Sequence, residues 1–253
     1  MLAEERRLRI IELLREQKSV EIGELSELFA VAQETIRRDL KRLEDEGVLR
    51  RTHGGATIEG RQTIAPLSTR AEANRDEKER IGRKALEYVK EGDRIIIDGG
   101  TTTLQLALAL KSNRRSASVV TNALNIALEL AGLPELAIDV VGGTLSESSL
   151  TLIGPETERA LARYRVSKVF LAASGITPEW GLGISNSFEA AVKQAMIEAA
   201  DEVILLVDST KLGKEGLVSF APMKKVDRLI TDEKADPTII DAIARLGVDI
   251  EQV

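Results

Sequence analysis

The 253-residue sequence contains no cysteine and only one histidine, His53. Without cysteine the chain has no disulfide, no thiolate metal site and no thiol nucleophile. A single histidine also excludes a histidine-rich metal site and most serine–histidine–aspartate chemistry. We therefore expect a protein that is not an enzyme and that uses neither a cofactor nor a metal.

Long apolar runs are also missing. No run approaches the roughly 20 residues of a membrane span. The N-terminal stretch MLAEERRLRIIELLREQ is amphipathic and charged throughout, without the apolar core of a signal peptide. The sequence predicts a cytoplasmic protein without a membrane partner. Its length and its 43% of hydrophobic residues are sufficient for two domains with sizeable cores.

The net charge of −6 does not by itself indicate a nucleic-acid-binding protein. The basic residues are nevertheless clustered, and six of them lie between positions 37 and 51: Arg37, Arg38, Lys41, Arg42, Arg50 and Arg51. DNA binding would therefore depend on where the charges are placed and not on their sum.

Helical periodicity marks three segments near the N-terminus, at 4–17, 23–30 and 33–46, the last of them capped by Gly47. In the third segment, apolar residues share one face at helical spacing. The remaining positions suit a recognition helix, whose first turn faces base edges while flanking cations contact phosphates. The alternative is a solvated, charged face of a helical bundle. The candidate DNA contacts here are Gln33, Glu34, Thr35, Arg37, Arg38 and Lys41.

A basic hairpin is predicted directly after the third helix. Residues 48–52 form a short strand, 53–55 a turn and 56–58 the returning strand. Such a hairpin is typical of the wing of a winged helix-turn-helix, and its candidate DNA contacts are Arg50, Arg51, His53 and Gly54. We therefore assign a DNA-binding domain to 1–58, a linker to 59–75, and a second domain to 76–253.

The second domain alternates apolar strands with amphipathic helices, which predicts an α/β fold with a doubly wound, mostly parallel, Rossmann-like sheet. Ligands bind such sheets beyond the carboxyl ends of the strands. Glycines, hydroxyl residues, Asp208 and Lys211 follow five strands there. A single Gly-Gly-Thr is often only a turn, but five similar ends predict a pocket for a phosphorylated ligand. The candidates are Asp98, Gly99, Gly100, Thr101, Thr102, Thr103, Thr121, Asn122, Gly142, Gly143, Ser174, Gly175, Trp180, Asp208 and Lys211.

The stretch ETIRRDLKRLEDEGVLRRTHGGA resembles the signature of the DeoR family of bacterial repressors, and the similarity continues through the strand ends of the second domain. The resemblance implies a winged helix-turn-helix, a sensor domain similar in fold to ribose-5-phosphate isomerase, and a sugar-phosphate effector. It also implies a homodimer or homotetramer on double-stranded operator DNA, and it adds Glu189 and Lys193 to the effector site.

Two positions depart from the family pattern. Ala32 stands where the family usually has a helix-capping Ser or Thr, and Ser174 stands where many members have Asp. Two other functions are open: a sugar-phosphate isomerase-like enzyme with an accessory N-terminal domain, and a winged helix that docks a protein. The loss of a carboxylate at Ser174 favours sensing over catalysis, and the arginine cluster favours DNA over a protein partner.

Overall fold

The computed structural model describes residues 3–17, 19–45, 49–52, 54–57 and 66–253. The chain divides into two compact units, 1–64 and 65–253. The predicted helix cap Gly47, the wing residue His53 and the first part of the predicted linker lie outside the described residues.

The N-terminal unit is a three-helix domain with a small antiparallel sheet. Its core combines Ile10 and Leu14 with the apolar faces of the next two helices. The three strands pair in the order β1–β3–β2. The elements are α1 (Ala3–Gln17), β1 (Ser19–Glu21), α2 (Ile22–Phe29), α3 (Gln33–Asp45), β2 (Arg50–Arg51) and β3 (Gly55–Thr57).

Gly55 is needed for the packing of the wing as well as for its turn. A Cβ atom at this position would lie 1.9 Å from the carbonyl oxygen of Val20, because β3 runs close against β1. The strand β1 was not predicted, since three residues are too few to show the alternation of a strand.

The interval 59–75, predicted as a linker, contains the helix α4 (Leu67–Glu72). Six residues make fewer than two turns, so no periodicity marks this helix in the sequence. It is fastened to the C-terminal unit, where the Arg70 guanidinium donates to the Ser148 carbonyl at 2.8 Å. The second unit thus begins before residue 76.

A seven-stranded, fully parallel sheet forms the centre of the C-terminal unit, in the order β15–β14–β12–β9–β4–β5–β6. A hairpin, β7–β8, and an antiparallel sheet, β10–β11–β13, lie beside it. The elements after α4 are α5 (Arg75–Leu86), β4 (Asp93–Ile97), α6 (Thr101–Asn113), β5 (Ala117–Thr121), α7 (Leu124–Leu130), β6 (Leu136–Val140), β7 (Thr144–Ser146), β8 (Thr151–Ile153), α8 (Pro155–Leu161), β9 (Val166–Leu171), β10 (Gly175–Thr177), β11 (Gly181–Ile184), α9 (Ser187–Glu198), β12 (Ala200–Leu206), β13 (Val218–Ala221), β14 (Arg228–Thr231), α10 (Pro237–Ala244) and β15 (Asp249–Gln252).

Both faces of the parallel sheet are covered, which confirms the doubly wound prediction. In β4, Ile95 and Ile97 pack into the core that includes Leu106 of α6, whereas Ile96 packs into the opposite core with Met196 of α9. Because alternate side chains enter two different cores, the central strands are continuous apolar runs rather than alternating ones.

None of the helices in the described ranges has the length and the apolar composition that a membrane crossing requires.

Candidate functional sites

The helix α3 presents a charged surface opposite its buried stripe. Ile36, Leu40 and Leu43 are buried in the domain core, whereas Arg37 and Arg38 are exposed. Of the other predicted contacts on this helix, Gln33, Glu34 and Lys41 are exposed and Thr35 is half-buried. The structure therefore leaves four cations of α3 accessible: Arg37, Arg38, Lys41 and Arg42.

One acid of α3 is buried and holds α1 in place. Asp39 accepts a hydrogen bond from Nε of Arg6 at 2.6 Å, and Arg7 lies 3.6 Å from its other oxygen. The Arg6 and Asp39 side chains are only 7% and 6% exposed. A pair this buried fixes the orientation of α3 because neither charge can be left alone in the interior.

Another acid of α3, Glu44, contacts the wing. Its Oε1 accepts the backbone N–H of Arg51 at 2.9 Å, and its Oε2 accepts Nε–H of the same residue at 2.6 Å. These hydrogen bonds lower the pKa of Glu44. Of the other predicted wing contacts, Gly54 is exposed, and Arg50 lies in β2.

Helix α3 begins without a side-chain oxygen at the position before its first residue. The carbonyl of Ala32 accepts the N–H groups of Thr35 and Ile36, at 2.9 and 3.3 Å. Ala32 has no hydroxyl to accept a further amide of the first turn, as the sequence comparison with the family pattern predicted.

In the C-terminal unit, five neighbouring parallel strands, β12, β9, β4, β5 and β6, end at one edge of the sheet. We call this edge, with the loops that follow the five strands, the rim. It brings together the segments that contain the predicted ligand residues.

A buried ion pair lies at the centre of the rim. The ammonium of Lys193, from α9, donates to Asp98 Oδ2 and, at 2.9 Å, to the carbonyl of Ala172. Asp98 also accepts the Ala172 N–H at 3.0 Å, and both charged residues are less than 5% exposed. Burial raises the pKa of Asp98, and Lys193 acts in the opposite direction. Two internal donors, Lys193 and the Ala172 N–H, thus share the Oδ2 atom of Asp98.

The β7–β8 hairpin is linked to α9 through Glu189. This buried carboxylate accepts hydrogen bonds from the hydroxyls of Ser146 and Ser149, at 3.1 and 2.9 Å. The serines were not predicted as site residues, although the run Ser-Glu-Ser-Ser in a loop after a sheet strand could have indicated them.

The glycines after β4 are required by packing, and that they also let the backbone approach a ligand stays a prediction. A Cβ on Gly99 would lie 2.0 Å from Thr151 Cγ2, and one on Gly100 would lie 2.6 Å from Ala172 Cβ. At the end of β6, Gly143 has φ +151, and its Cβ would collide with the Thr157 hydroxyl. A Cβ on Gly175 would lie 2.3 Å from the carbonyl oxygen of Lys214.

The threonines and the asparagine also make internal contacts. Thr121 donates to the carbonyl of Ile97 at 2.7 Å, and Asn122 donates to that of Leu152 at 3.0 Å. Thr103 donates to the Gly100 carbonyl, and the two threonines before it are buried. These hydrogen bonds to backbone carbonyls hold the segments of the rim together. The predicted residues Gly142 and Ser174 lie in its loops, exposed and half-buried respectively.

Trp180 lies in the turn between β10 and β11. The backbone N–H of Trp180 donates to the Thr177 hydroxyl at 2.9 Å, and its backbone carbonyl accepts a hydrogen bond from the Ser219 hydroxyl. The residue is 43% exposed, so its side chain is not buried in the core of the unit.

At the end of β12, Asp208 is 1% exposed and binds a residue far away in sequence. Its Oδ1 accepts hydrogen bonds from Asn74 Nδ2 at 3.1 Å and from the N–H of Thr210 at 3.1 Å. Its Oδ2 is buried and has no hydrogen-bond partner among the described residues. Lys211 follows in the same loop.

Two cations, Lys78 and Arg70, were not among the predicted site residues. Asp208 acts on the charge of Lys78, and Glu189 acts on that of Arg70. The ammonium of Lys78, in α5, is 3% exposed and donates to the carbonyls of Arg70 and Ala73. Burial lowers its pKa, Asp208 opposes that shift, and Lys211 and Arg70 reinforce it. Lys78 could have been recognised in the sequence because it lies one turn before Ile81, on the apolar face of α5.

The described residues contain no group of three or more histidine, cysteine, aspartate or glutamate side chains arranged to hold a metal ion.

Comparison with protein families gives two matches that together span most of the chain. Residues 6–62 match the DeoR-like helix-turn-helix domain, and residues 73–233 match the DeoR C-terminal sensor domain. The chain belongs to the DeoR family. It is therefore a helix-turn-helix transcriptional regulator, as the signature around α3 predicted.

Several regulators are similar to this DeoR-family protein over nearly their whole length. The HTH-type transcriptional regulator YulB of Bacillus subtilis is 39% identical, covering 100% of this chain and 98% of the relative. The HTH-type transcriptional repressor GlcR of Bacillus subtilis is 33% identical, covering 99% and 96%. The glycerol-3-phosphate regulon repressor of Escherichia coli K12 is 33% identical, covering 96% of each.

Among solved structures, ribose-5-phosphate isomerase A of Methanocaldococcus jannaschii matches 55% of this chain and 55% of its own, with a TM-score of 0.40 and 17% identity. The family assignment rests on the sequence matches.

Proposed function

We propose that this DeoR-family protein represses a carbohydrate- or glycerol-phosphate-utilisation operon in the cytoplasm and leaves its operator when a phosphorylated metabolite binds the rim. The exposed cations of α3 support binding to a duplex. The names of the relatives, which include a glycerol-3-phosphate regulon repressor, support the class of regulon.

One observation carries the choice of a phosphorylated ligand: a buried ammonium, that of Lys78, lies beside the end of β12. The carboxylates of Asp208 and Glu77 and the cations of Lys211 and Arg70 act on its charge. The buried ammonium of Lys78 donates to carbonyl oxygens, which carry no net charge. A phosphate dianion bound beside this ammonium would compensate its buried charge, whereas a neutral sugar would not.

Operator release requires that the ligand binds more tightly to the arrangement that cannot bind DNA, since only a difference in affinity shifts the population. We expect a symmetric homodimer or homotetramer, whose two recognition helices contact half-sites about 34 Å apart or a multiple of that distance.

The experiment is an electrophoretic mobility shift at the region upstream of the gene, with and without a panel of sugar phosphates and glycerol phosphates. Wild-type protein should retard this fragment at low salt, and one phosphorylated compound should abolish the shift while its unphosphorylated parent does not. The double variant Arg37→Ala/Arg38→Ala should weaken binding to every duplex and flatten its salt dependence. A protein that retards no fragment under any condition contradicts the proposal.

The enzymatic alternative makes a different prediction. An isomerase would turn over pentose or hexosamine phosphates and would lose this activity in Asp98→Ala or Asp208→Ala. A general base needs a carboxylate that reaches the substrate, and Asp98 is instead engaged by Lys193 and Ala172. This contact supports sensing. Turnover that depends on Asp98 would refute it.

A further inference from the structure

Glu44 is an unexpected residue for the last turn of a helix that faces DNA. The C-terminal end of a helix carries partial negative charge, which disfavours a carboxylate there. A carboxylate on a DNA-facing element also repels phosphates. An acid in this position therefore needs a compensating role.

Both carboxylate oxygens of Glu44 are used by one residue of the wing. Oε1 accepts the backbone N–H of Arg51 at 2.9 Å and so fixes the chain at the end of β2. Oε2 accepts the Nε–H at 2.6 Å and so fixes the direction of the side chain. A guanidinium has four further N–H groups on its two terminal nitrogens, so this contact does not exhaust its capacity to donate.

We infer that Glu44 is a positioning residue for DNA binding, which holds Arg51 by Nε so that the terminal N–H groups can bind a phosphate beside the operator half-site. This inference rests on the operator binding proposed above. An arginine ordered before it meets DNA loses less side-chain entropy on binding. The Glu44 and Arg51 side chains are 33% and 42% exposed, so the pair contributes little to stability and its effect should be found in DNA binding.

The simplest competing interpretation is that Glu44 is an ordinary surface acid. In that case its removal would strengthen binding to every duplex, because one negative charge near the phosphates is lost. The positioning role predicts instead that removal of Glu44 weakens DNA binding. The direction of the change in affinity therefore distinguishes the two interpretations.

The test compares wild type, Glu44→Ala, Glu44→Gln, Arg51→Ala and the double variant Glu44→Ala/Arg51→Ala. The probe is a fluorescent duplex selected by the wild-type protein from a random-sequence pool, and affinity is measured as a function of salt. Glu27→Ala, which removes an exposed acid of α2, controls for net charge. Thermal melting checks that each variant remains folded, and Glu44→Gln retains a neutral acceptor if the alanine variant unfolds.

We expect Arg51→Ala and Glu44→Ala each to weaken binding on the order of fivefold and to reduce the salt slope by about 0.9, the value for one phosphate contact. In the Glu44→Ala background, Arg51→Ala should cause little further loss of DNA affinity. The affinity of Glu44→Gln should lie between those of wild type and Glu44→Ala. Equal or tighter binding by Glu44→Ala, or an undiminished Arg51→Ala effect in that background, overturns the inference.

A second readout needs no DNA. The Nε–H signal of Arg51 in the NMR spectrum of the free protein should exchange slowly in wild type and fast in Glu44→Ala. An unchanged signal overturns the positioning role. A wild type that selects no duplex contradicts the repressor function instead, and this exchange measurement still shows whether Glu44 orders Arg51.

Discussion

Asp39 shows how a single buried residue can control a DNA-binding surface. Its neighbours on α3, Arg37 and Arg38, point into solvent, while Asp39 points into the domain and pairs with Arg6. The helix therefore cannot turn about its axis without burying an unpaired charge, which keeps the exposed cations in a fixed direction.

Substitution Asp39→Ala should destabilise the N-terminal unit by about 3–5 kcal/mol, because it leaves the Arg6 guanidinium buried and unpaired. Urea unfolding of the full chain, followed by a probe in this unit, measures the effect. The double variant Arg6→Met/Asp39→Leu removes both charges and should recover most of the loss. If the double variant is as unstable as Asp39→Ala, the unpaired charge is not the cause.

Ala32 offers the reverse case, in which the chain lacks a stabilising group. Ala32→Thr adds a hydroxyl that can accept an amide of the first turn of α3, whereas Ala32→Val has nearly the same shape and no acceptor. We expect the threonine variant to be about 1 kcal/mol more stable than the valine variant in urea unfolding. Equal stabilities would show that the backbone at Ala32 does not allow a cap.

At the scale of secondary-structure elements, β15 forms one edge of the parallel sheet and is tied to α5. Glu251 of β15 accepts the Tyr88 hydroxyl and lies 3.1 Å from Lys84 Nζ, both from the chain around α5. Arg228 of β14 lies 3.4 Å from the same carboxylate and 4.3 Å from the centre of the Tyr88 ring. The cluster fastens the last strand to the rest of the unit.

This cluster should make the stability of β15 depend on pH. The hydrogen bond from Tyr88, followed by Lys84 and Arg228, lowers the pKa of Glu251. The folded pKa then lies below the unfolded value of about 4.3, so the contribution is complete above that value and is lost as the pH falls through the folded pKa. Glu251→Gln should lower the unfolding free energy by no more than about 1 kcal/mol at neutral pH.

The difference between Glu251→Gln and wild type should shrink as the pH falls through the lowered folded pKa of Glu251 and should vanish once the wild-type carboxyl is protonated. Glu147→Gln, in the exposed loop of the β7–β8 hairpin, controls for the loss of one negative charge. A difference that stays constant down to the lowest pH would show that the ionised form of Glu251 is not what stabilises β15.

The elements differ in how far the sequence determines them locally. Six runs predicted as strands of the second domain, RIIID, ASVVT, AIDVV, KVFLAA, EVILLV and RLITD, are present as β4, β5, β6, β9, β12 and β14. The central runs are largely apolar because they are buried on both faces, whereas β6, at the edge of the sheet, has no buried residue. The short strands β10 and β11 escape this pattern, since they are three and four residues long and contain glycine. The helical spacing of Ile81, Ala85, Leu86 and Val89 predicts a helix over about 76–91, but α5 ends at Leu86. The Leu86 carbonyl accepts a hydrogen bond from Arg115, a contact distant in sequence that helical spacing does not indicate.

The proposed ligand site likewise combines residues that the sequence indicates with residues that it does not. The rule that parallel strands end at one edge brought the five loops of the rim together in the prediction. Arg70, Asn74 and Lys78 were not anticipated because they precede the first sheet strand. Asn74 meets Asp208 across 134 residues, and no local pattern indicates such a contact.

At the scale of the whole molecule, the proposed ligand should stabilise the folded chain. A ligand present at 100 times its dissociation constant adds about 2.7 kcal/mol to the stability of the form that binds it. We expect a thermal-shift screen to give an increase for one class of phosphorylated metabolite, and Lys211→Met to abolish most of it. Lys225→Met, at an exposed position, is the matched control. An undiminished shift in Lys211→Met would exclude this lysine from the ligand site.

The pairing of β4 with β9 has a consequence for the order in which the chain folds during synthesis. Ile95 pairs with Lys168, so the centre of the sheet cannot close until the ribosome has released both halves of the C-terminal unit. The contacts of the N-terminal core lie within its first 56 residues, and they can form much earlier. We therefore expect each newly made chain to pass through a period in which the winged helix is already structured and the metabolite site does not yet exist.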